Sequence, residues 1–354
     1  MTYELTIEPL GQTVDIEEGQ TILDAALRAG IYLPHACCHG LCATCKVQVV
    51  DGEVEHGPVS SFALMDFERD EQKCLACCAT AESDIVIEAE IEEDEDSENL
   101  PVRDIAGKVA RIETLTPTIK GIWIEVEDPD GFHFQAGQYI NVELPNGIGS
   151  RAFSIASTPQ EKGLLELNVR IVPGGHGTTY LHEQLQVGES VQMTGPYGRF
   201  FVKKSADLPV IFMAGGSGLS SPRSMILDLL ADGFKKPITL VYGQRTRDEL
   251  YYHEAFQELA QSHANVSYVP VLSDEPEGSD WEGFRGFVHE AAKAHFDNDF
   301  RGHKAYLCGP PKMIDACITT LMQGRLFERD IYMEKFLSAA DAQQVQRSPL
   351  FKSI

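Results

Sequence analysis

The stretch Cys37-Cys-His-Gly-Leu-Cys42-Ala-Thr-Cys45 decides how this chain is read. Its spacing is C-x4-C-x2-C, and Cys74, Cys77 and Cys78 follow some thirty residues later, so seven of the nine cysteines lie between Cys37 and Cys78. In a reducing compartment, thiols crowded so locally suit a metal better than a disulfide framework.

The spacing is that of a plant-type 2Fe–2S centre, in which four thiolates hold two irons. The small residues Gly40, Ala43 and Thr44 let backbone N–H groups approach sulfur closely. Cys37, Cys42 and Cys45 supply three ligands. Cys74, Cys77 and Cys78 compete for the fourth place, and Cys77 is favoured by its Leu-Ala-Cys context before a final strand. Cys38 is expected to point away, and His35 and His39 to flank the site without ligating. Zinc sites usually pair two C-x2-C knuckles, and this loop has one.

Working outward, Tyr3, Leu5 and Ile7 alternate, as do Val14 and Ile16, which predicts a hairpin turning at Gly11-Gln12. Thr21 caps a short helix from Ile22 to Ala29, closed by Gly30. Strands are expected at Lys46 to Val50 and Ile85 to Ile87. Eight of the eleven residues from Glu88 to Glu98 are acidic, a run expected to stay extended as a linker. From Val102 to about Ser205, short alternating runs between Gly/Pro turns predict a small β-barrel. After Asp207, apolar strands alternate with helical stretches, which predicts a parallel sheet covered on both faces.

These features together resemble a plant-type ferredoxin followed by a ferredoxin–NADP reductase-type module. That order is similar to the reductase components of bacterial multicomponent monooxygenases, over the chain to about Phe336. The resemblance implies a multidomain fold: a β-grasp α+β ferredoxin domain (1–91), an acidic linker (92–101), an antiparallel β-barrel flavin domain (102–204), an α/β parallel-sheet nicotinamide domain (205–337) and a tail (338–354). The cofactors implied are FAD, a 2Fe–2S cluster and NADH, with NADPH possible.

The resemblance also implies roles. Arg151-Ala-Phe-Ser154 is similar to the R-x-Y-S signature: Arg151 would pair with the FAD pyrophosphate, Phe153 pack on the flavin ring and Ser154 bond its N5. Tyr139 precedes this segment, and the run from Val169 to Gly175 and Thr178 matches a turn that offers N–H groups to the diphosphate. Gly215, Gly216, Ser217 and Gly218 follow a buried strand, as a dinucleotide-binding turn does. Ser221 stands where the family usually has proline, and Pro222 comes one place later. Asp248 favours NADH at the adenosine ribose, whereas Arg245 and Arg247 permit NADPH. Cys308, Gly309, Pro310 and Met313 match a C-G-P-x-x-M segment beside the nicotinamide. Glu334 and Phe336 match the terminal segment whose aromatic covers the flavin. Ser154, Cys308, Glu334 and Phe336 are thus the expected catalytic set.

The chain carries 54 acidic and 29 basic residues, a formal charge of −25. That field repels phosphate backbones and anionic lipid, so neither nucleic acid nor a membrane is the expected partner. No apolar window reaches the length of a spanning helix, and Met1 to Ile7 lacks a signal-peptide pattern, so a soluble cytoplasmic protein is expected. The activity that the resemblance implies is NADH-dependent electron transfer, through flavin and iron–sulfur cluster, to the di-iron hydroxylase of a phenol-oxidising system. Other readings share these parts: the reductase of a Rieske dioxygenase or of a deoxysugar dehydration system, or an electron carrier without a working nicotinamide site.

Overall fold

The protein is described by a computed structural model covering residues 1–91 and 93–336. The tail set apart at 338–354 lies outside the described residues. Two compact units divide the chain, Met1–Arg103 and Asp104–Ile354.

In the first unit, Thr2–Glu8 and Gln12–Glu17 form the expected antiparallel hairpin. The sheet order is Gln12–Glu17, Thr2–Glu8, Ile85–Glu88, Lys46–Asp51, Lys73–Leu75, and the pairing of Thr2–Glu8 with Ile85–Glu88 is parallel. Helix Ile22–Arg28 starts where the Thr21 hydroxyl accepts the Asp24 N–H at 3.2 Å. It buries Ile22, Leu23, Ala25 and Ala26 in one core with Leu5, Ile7 and Ile16. Each large aliphatic buried there contributes about 1.5–3 kcal/mol. Four short elements escaped the sequence reading, strands Val54–Glu55, Lys73–Leu75 and Thr80–Ala81 and helix Asp66–Asp70, because two to five residues are too few to show a period.

At the start of the acidic run, the Ala89 N–H donates to the Glu8 carbonyl at 3.1 Å, and Ile91 packs on the core of the first unit. Farther on, the Val102 N–H donates to the Leu27 carbonyl at 3.0 Å. Apolar residues set between the acids give the run an anchor that its charge alone would deny it.

The second unit contains two six-stranded sheets. The first has the order Gly149–Ser154, Tyr139–Leu144, Ser190–Tyr197, Arg103–Thr114, Ile119–Val126, Leu164–Arg170. A bridge between Ile155 and Leu167 joins its two ends, closing it as a barrel. The other sheet is parallel throughout, in the order Phe284–Arg285, Val266–Leu272, Ile238–Gln244, Val210–Gly215, Lys304–Gly309, Ile331–Lys335. Alternate residues of Val210–Gly215 feed two cores: Phe212 and Ala214 pack with Met225 and Leu229, Ile211 and Met213 with Ile314 and Leu321. Chain order reverses between Val210–Gly215 and Lys304–Gly309, the switch point at which open α/β sheets take ligands.

A buried polar network links barrel and parallel sheet. Glu166, on a barrel strand and 1% exposed, pairs with Arg223 at 2.9 Å and accepts from Asn168 at 2.7 Å and from the Tyr252 hydroxyl. Among the described residues, no helix is long and apolar enough to cross a membrane.

Candidate functional site

The cysteine loop gathers its sulfurs in pairs. The Cys37 N–H donates to Cys42 Sγ at 3.5 Å, while Cys37 Sγ accepts from the His39 and Leu41 N–H groups at 3.5 and 3.4 Å. Burial pushes the Cys42 thiol up, but hydrogen bonds from Thr44 and Cys37 outweigh it and bring the thiol down to about 7. The second pair is Cys45 and Cys77. A hydrogen bond from the Cys45 thiol holds Cys77 down to about 5, and the same bond drives Cys45 upward. No closed group of three donors stands among the described residues, but two pairs of thiolates are what two irons require. Backbone N–H groups already aimed at sulfur fit that group as well.

The rivals for the fourth place differ in surroundings. Cys74 lies in the apolar core with no exposed surface, where burial pushes its thiol up to about 12. Cys78 Sγ is 3.6 Å from Cys77 Sγ, and burial, then Cys77, raises it to about 12. Cys38 is exposed on a left-handed backbone (φ 53°), its thiol 4.0 Å from the Ala36 carbonyl. His35 and His39 bond backbone carbonyls, of Leu33 and Cys37 respectively.

On the barrel, antiparallel register sets Tyr139 opposite Ser154 and Ile140 opposite Phe153. Tyr139 stacks on Tyr197 with centroids 5.6 Å apart, and Phe153, half-buried, packs against the barrel core. The expected turn at Gly175 and Thr178 is the start of an eight-residue helix, His176–Glu183, with Gly175 as its cap. The Thr178 hydroxyl accepts the Val172 N–H at 3.0 Å, leaving the first-turn N–H groups at the helix's positive end. Arg151 lies over that end: a Cβ on Gly177 would meet Arg151 Cγ at 3.1 Å and Nε at 3.4 Å. A guanidinium and a helix N-terminus side by side fit a diphosphate. Val169 buries its side chain in the barrel core, and its carbonyl is bonded to His182 at 2.8 Å.

At the switch point, the turn Gly215 to Gly218 meets the segment Cys308 to Met313. A Cβ on Gly218 would stand 2.4 Å from the Cys308 carbonyl oxygen, so only glycine permits this approach. Gly309 has φ 151°, and Pro310 caps helix Pro311–Gln323, whose Met313 reaches the position a Gly215 side chain would take. Gly216 (φ 62°) turns toward Arg170, whose Nη1 is 3.1 Å from where its Cβ would be. Sequence reading passed over Arg170, although the segment containing it had been matched. Ser217 lies in the same turn and accepts the Ser220 hydroxyl at its carbonyl.

Register in the parallel sheet places Cys308 opposite Glu334. Glu334 Oε2 accepts the Ser154 hydroxyl at 3.0 Å and the Ser221 hydroxyl at 2.9 Å, with Cys308 Sγ at 3.6 Å. Burial raises the Glu334 carboxyl, and the two hydroxyls and the thiol partly offset it. Burial also raises the Cys308 thiol well above its ordinary value, so it stays protonated. Barrel and sheet thus join in one proton-holding cluster. Ser221, at the place where the family usually has proline, is thus brought to the same carboxylate as Ser154. Phe336 donates its N–H to the Gly309 carbonyl at 3.0 Å and packs half-buried on the sheet core. Arg245 and Asp248 are exposed at the end of strand Ile238–Gln244, away from the Glu334 cluster in sequence and element.

Three families match the chain: the 2Fe-2S iron-sulfur cluster binding domain over residues 5–82, the oxidoreductase FAD-binding domain over 106–202 and the oxidoreductase NAD-binding domain over 212–318. The phenol 2-monooxygenase reductase component of Pseudomonas sp. (strain CF600) is 58% identical, with all of both chains covered. The phenol hydroxylase P5 protein of Acinetobacter pittii is 56% identical over the same extent. Among solved structures, the cytochrome P-450 reductase of Amycolatopsis matches with a TM-score of 0.84 and 33% identity, covering 95% of this chain and 99% of that one.

Proposed function

Because this chain belongs to the family of phenol 2-monooxygenase reductase components, we propose that it delivers electrons to a di-iron hydroxylase and does so in the cytoplasm. It is an NADH-dependent oxidoreductase with FAD and a 2Fe–2S cluster, and it serves an oxygenase. The cofactors supply hydride acceptance and single-electron carriage, and the protein supplies orientation and electrostatics.

In this reading, Arg151 and the N-terminus of helix His176–Glu183 hold the FAD diphosphate, and Tyr139 and Phe153 flank the flavin. Gly215 to Gly218, with Gly309, Pro310 and Met313, bring the nicotinamide up to Ser154 and Cys308. Ser154 holds a proton at its Oγ, and Glu334 and Ser221 orient that hydroxyl. Phe336 shields the same surface from water. Cys37, Cys42, Cys45 and Cys77 would hold the two irons.

The observation that carries this reading is the cluster of Ser154, Ser221 and Cys308 on one Glu334 oxygen, where barrel and dinucleotide turn meet. Reconstitution tests it. The protein should support NADH-driven hydroxylation of phenol with a di-iron hydroxylase. Turnover only with a Rieske or haem oxygenase would refute the di-iron partner while leaving the reductase activity intact.

A further inference from the structure

Glu166 lies on barrel strand Leu164–Arg170 with its side chain 2% exposed, outside the Glu334 cluster. Its Oε2 pairs with Arg223 Nη1 at 2.9 Å, and its Oε1 accepts from Asn168 Nδ2 at 2.7 Å and from the Tyr252 hydroxyl. A buried charge satisfied in this way holds its partners firmly, because releasing one leaves the charge with neither partner nor water.

Two of these partners lead to the glycine turn. Arg223 and Ser220 lie on helix Ser220–Ala231, which opens directly after the turn Gly216–Leu219. The Arg223 guanidinium also donates to the Ala156 carbonyl of the barrel. Asn168, with its Nδ2 on Glu166, has its Oδ1 3.4 Å from the Ser220 hydroxyl, which lies 2.9 Å from the Ser217 carbonyl oxygen. The next residue, Ser221, is the one bonded to Glu334. The first turn of one helix is thus tied through Ser220 and Arg223 to Glu166, and through Ser221 to Glu334.

The remaining partner is strained. Tyr252 has φ 57°, in the left-handed region that a bulky side chain rarely enters. The Arg223 guanidinium carbon lies 4.5 Å from the centre of its ring. Burial, then the Glu166 charge, raises the Tyr252 hydroxyl, so it remains a donor. Three residues earlier, Glu249 Oε2 accepts the Thr116 and Thr118 hydroxyls at 2.9 and 2.6 Å, which fastens the same segment to the barrel a second time.

We propose that Glu166 is a positioning residue: through Arg223, Tyr252 and the Asn168–Ser220 link it fixes the glycine turn against the barrel, and so sets the approach of nicotinamide to flavin and not the affinity for either. The inference rests on the reading of sheet and barrel as the NADH and FAD sites. A small shift of the helix would spoil the approach while keeping the binding contacts, since rate falls far more steeply with misplacement than affinity does.

The test uses the FAD-loaded full chain carrying Tyr252→Phe, Asn168→Ala or Glu166→Gln. Anaerobic stopped-flow absorbance gives the limiting rate of flavin bleaching by NADH, calorimetry gives the dissociation constant of NAD+, and hydrogen exchange follows the amides of residues 215–224. Tyr252→Phe and Asn168→Ala should lower the limiting rate by about threefold and Glu166→Gln by about tenfold or more, with NAD+ affinity within about twofold of wild type. Exchange should quicken at 215–224 and stay as in wild type along barrel strand Tyr139–Leu144. Tyr252→Phe removes one hydroxyl and keeps the ion pair, so it decides the matter should Glu166→Gln fail to fold. Unchanged rates in Tyr252→Phe and Asn168→Ala overturn the proposal. So does weaker NAD+ binding at an unchanged rate, which would make the network a binding device. Faster exchange throughout barrel and sheet also overturns it, because the network would then only support the fold. If NADH leaves the wild-type flavin unbleached, the NADH-site reading itself falls, and the proposal with it.

Discussion

Glu334 Oε2 accepts the Ser154 hydroxyl at 3.0 Å across 180 positions of sequence, joining a barrel strand to the last described strand of the parallel sheet. The same oxygen takes the Ser221 hydroxyl, so one carboxylate aligns a hydroxyl from the barrel with one from the helix after the glycine turn.

Ser154→Ala should slow anaerobic bleaching of the flavin by NADH on the order of tenfold to a hundredfold, with little change in KM. Stopped-flow absorbance measures it. A raised KM with an unchanged bleaching rate would instead make Ser154 a binding residue.

Glu334 gives a pH prediction. Burial raises its carboxyl in the folded state, so the native protein holds that proton more tightly than the unfolded chain. Stability is then lost as pH rises above the ordinary carboxylate range. Glu334→Gln carries no such cost. Its Tm relative to wild type should climb between about pH 5 and pH 8. A flat difference across that range would contradict the raised value.

The ligand assignment is checked by iron content and the visible spectrum. Cys77→Ser should lose the cluster bands and keep the flavin bands, whereas Cys74→Ser should keep both. Cys74 fills an apolar core position, so its replacement costs stability, not iron. The opposite pattern would move the fourth ligand to Cys74.

Gly218→Ala puts a methyl 2.4 Å from the Cys308 carbonyl oxygen. We expect loss of NADH binding with FAD retained, and about 1–3 kcal/mol of destabilisation from overpacking. Normal NADH affinity in this variant would show that the turn and the Cys308 segment can separate without harm.

Residues 1–103 hold 23 acidic and five basic side chains, most of the chain's excess charge. KM for the oxygenase should therefore rise steeply with salt, while reduction of a small neutral acceptor stays nearly constant. Equal salt dependence for both acceptors would remove any electrostatic contribution to docking.

Much of this was legible in one dimension. The C-x4-C-x2-C loop, the hairpin around Gly11 and the buried run Val210 to Ala214 are set by spacing and periodicity, because thiolate geometry and strand pleat are local properties. So is helix Ile22–Arg28, fixed by the Thr21 cap and Gly30. The helix at Thr178 was read as a turn, since its eight residues carry glycine and β-branched threonines and are held by the barrel beneath them.

Sequence by itself thus determined the chemistry available: which thiols, which glycines, which hydroxyls, and the order of the three segments. Only the tertiary structure decided which of them meet. Glu334 reaches Ser154 and Ser221, and Cys74 is spent on the core, because hydrogen bonds and packing act across space between residues whose separation along the chain carries no period to read.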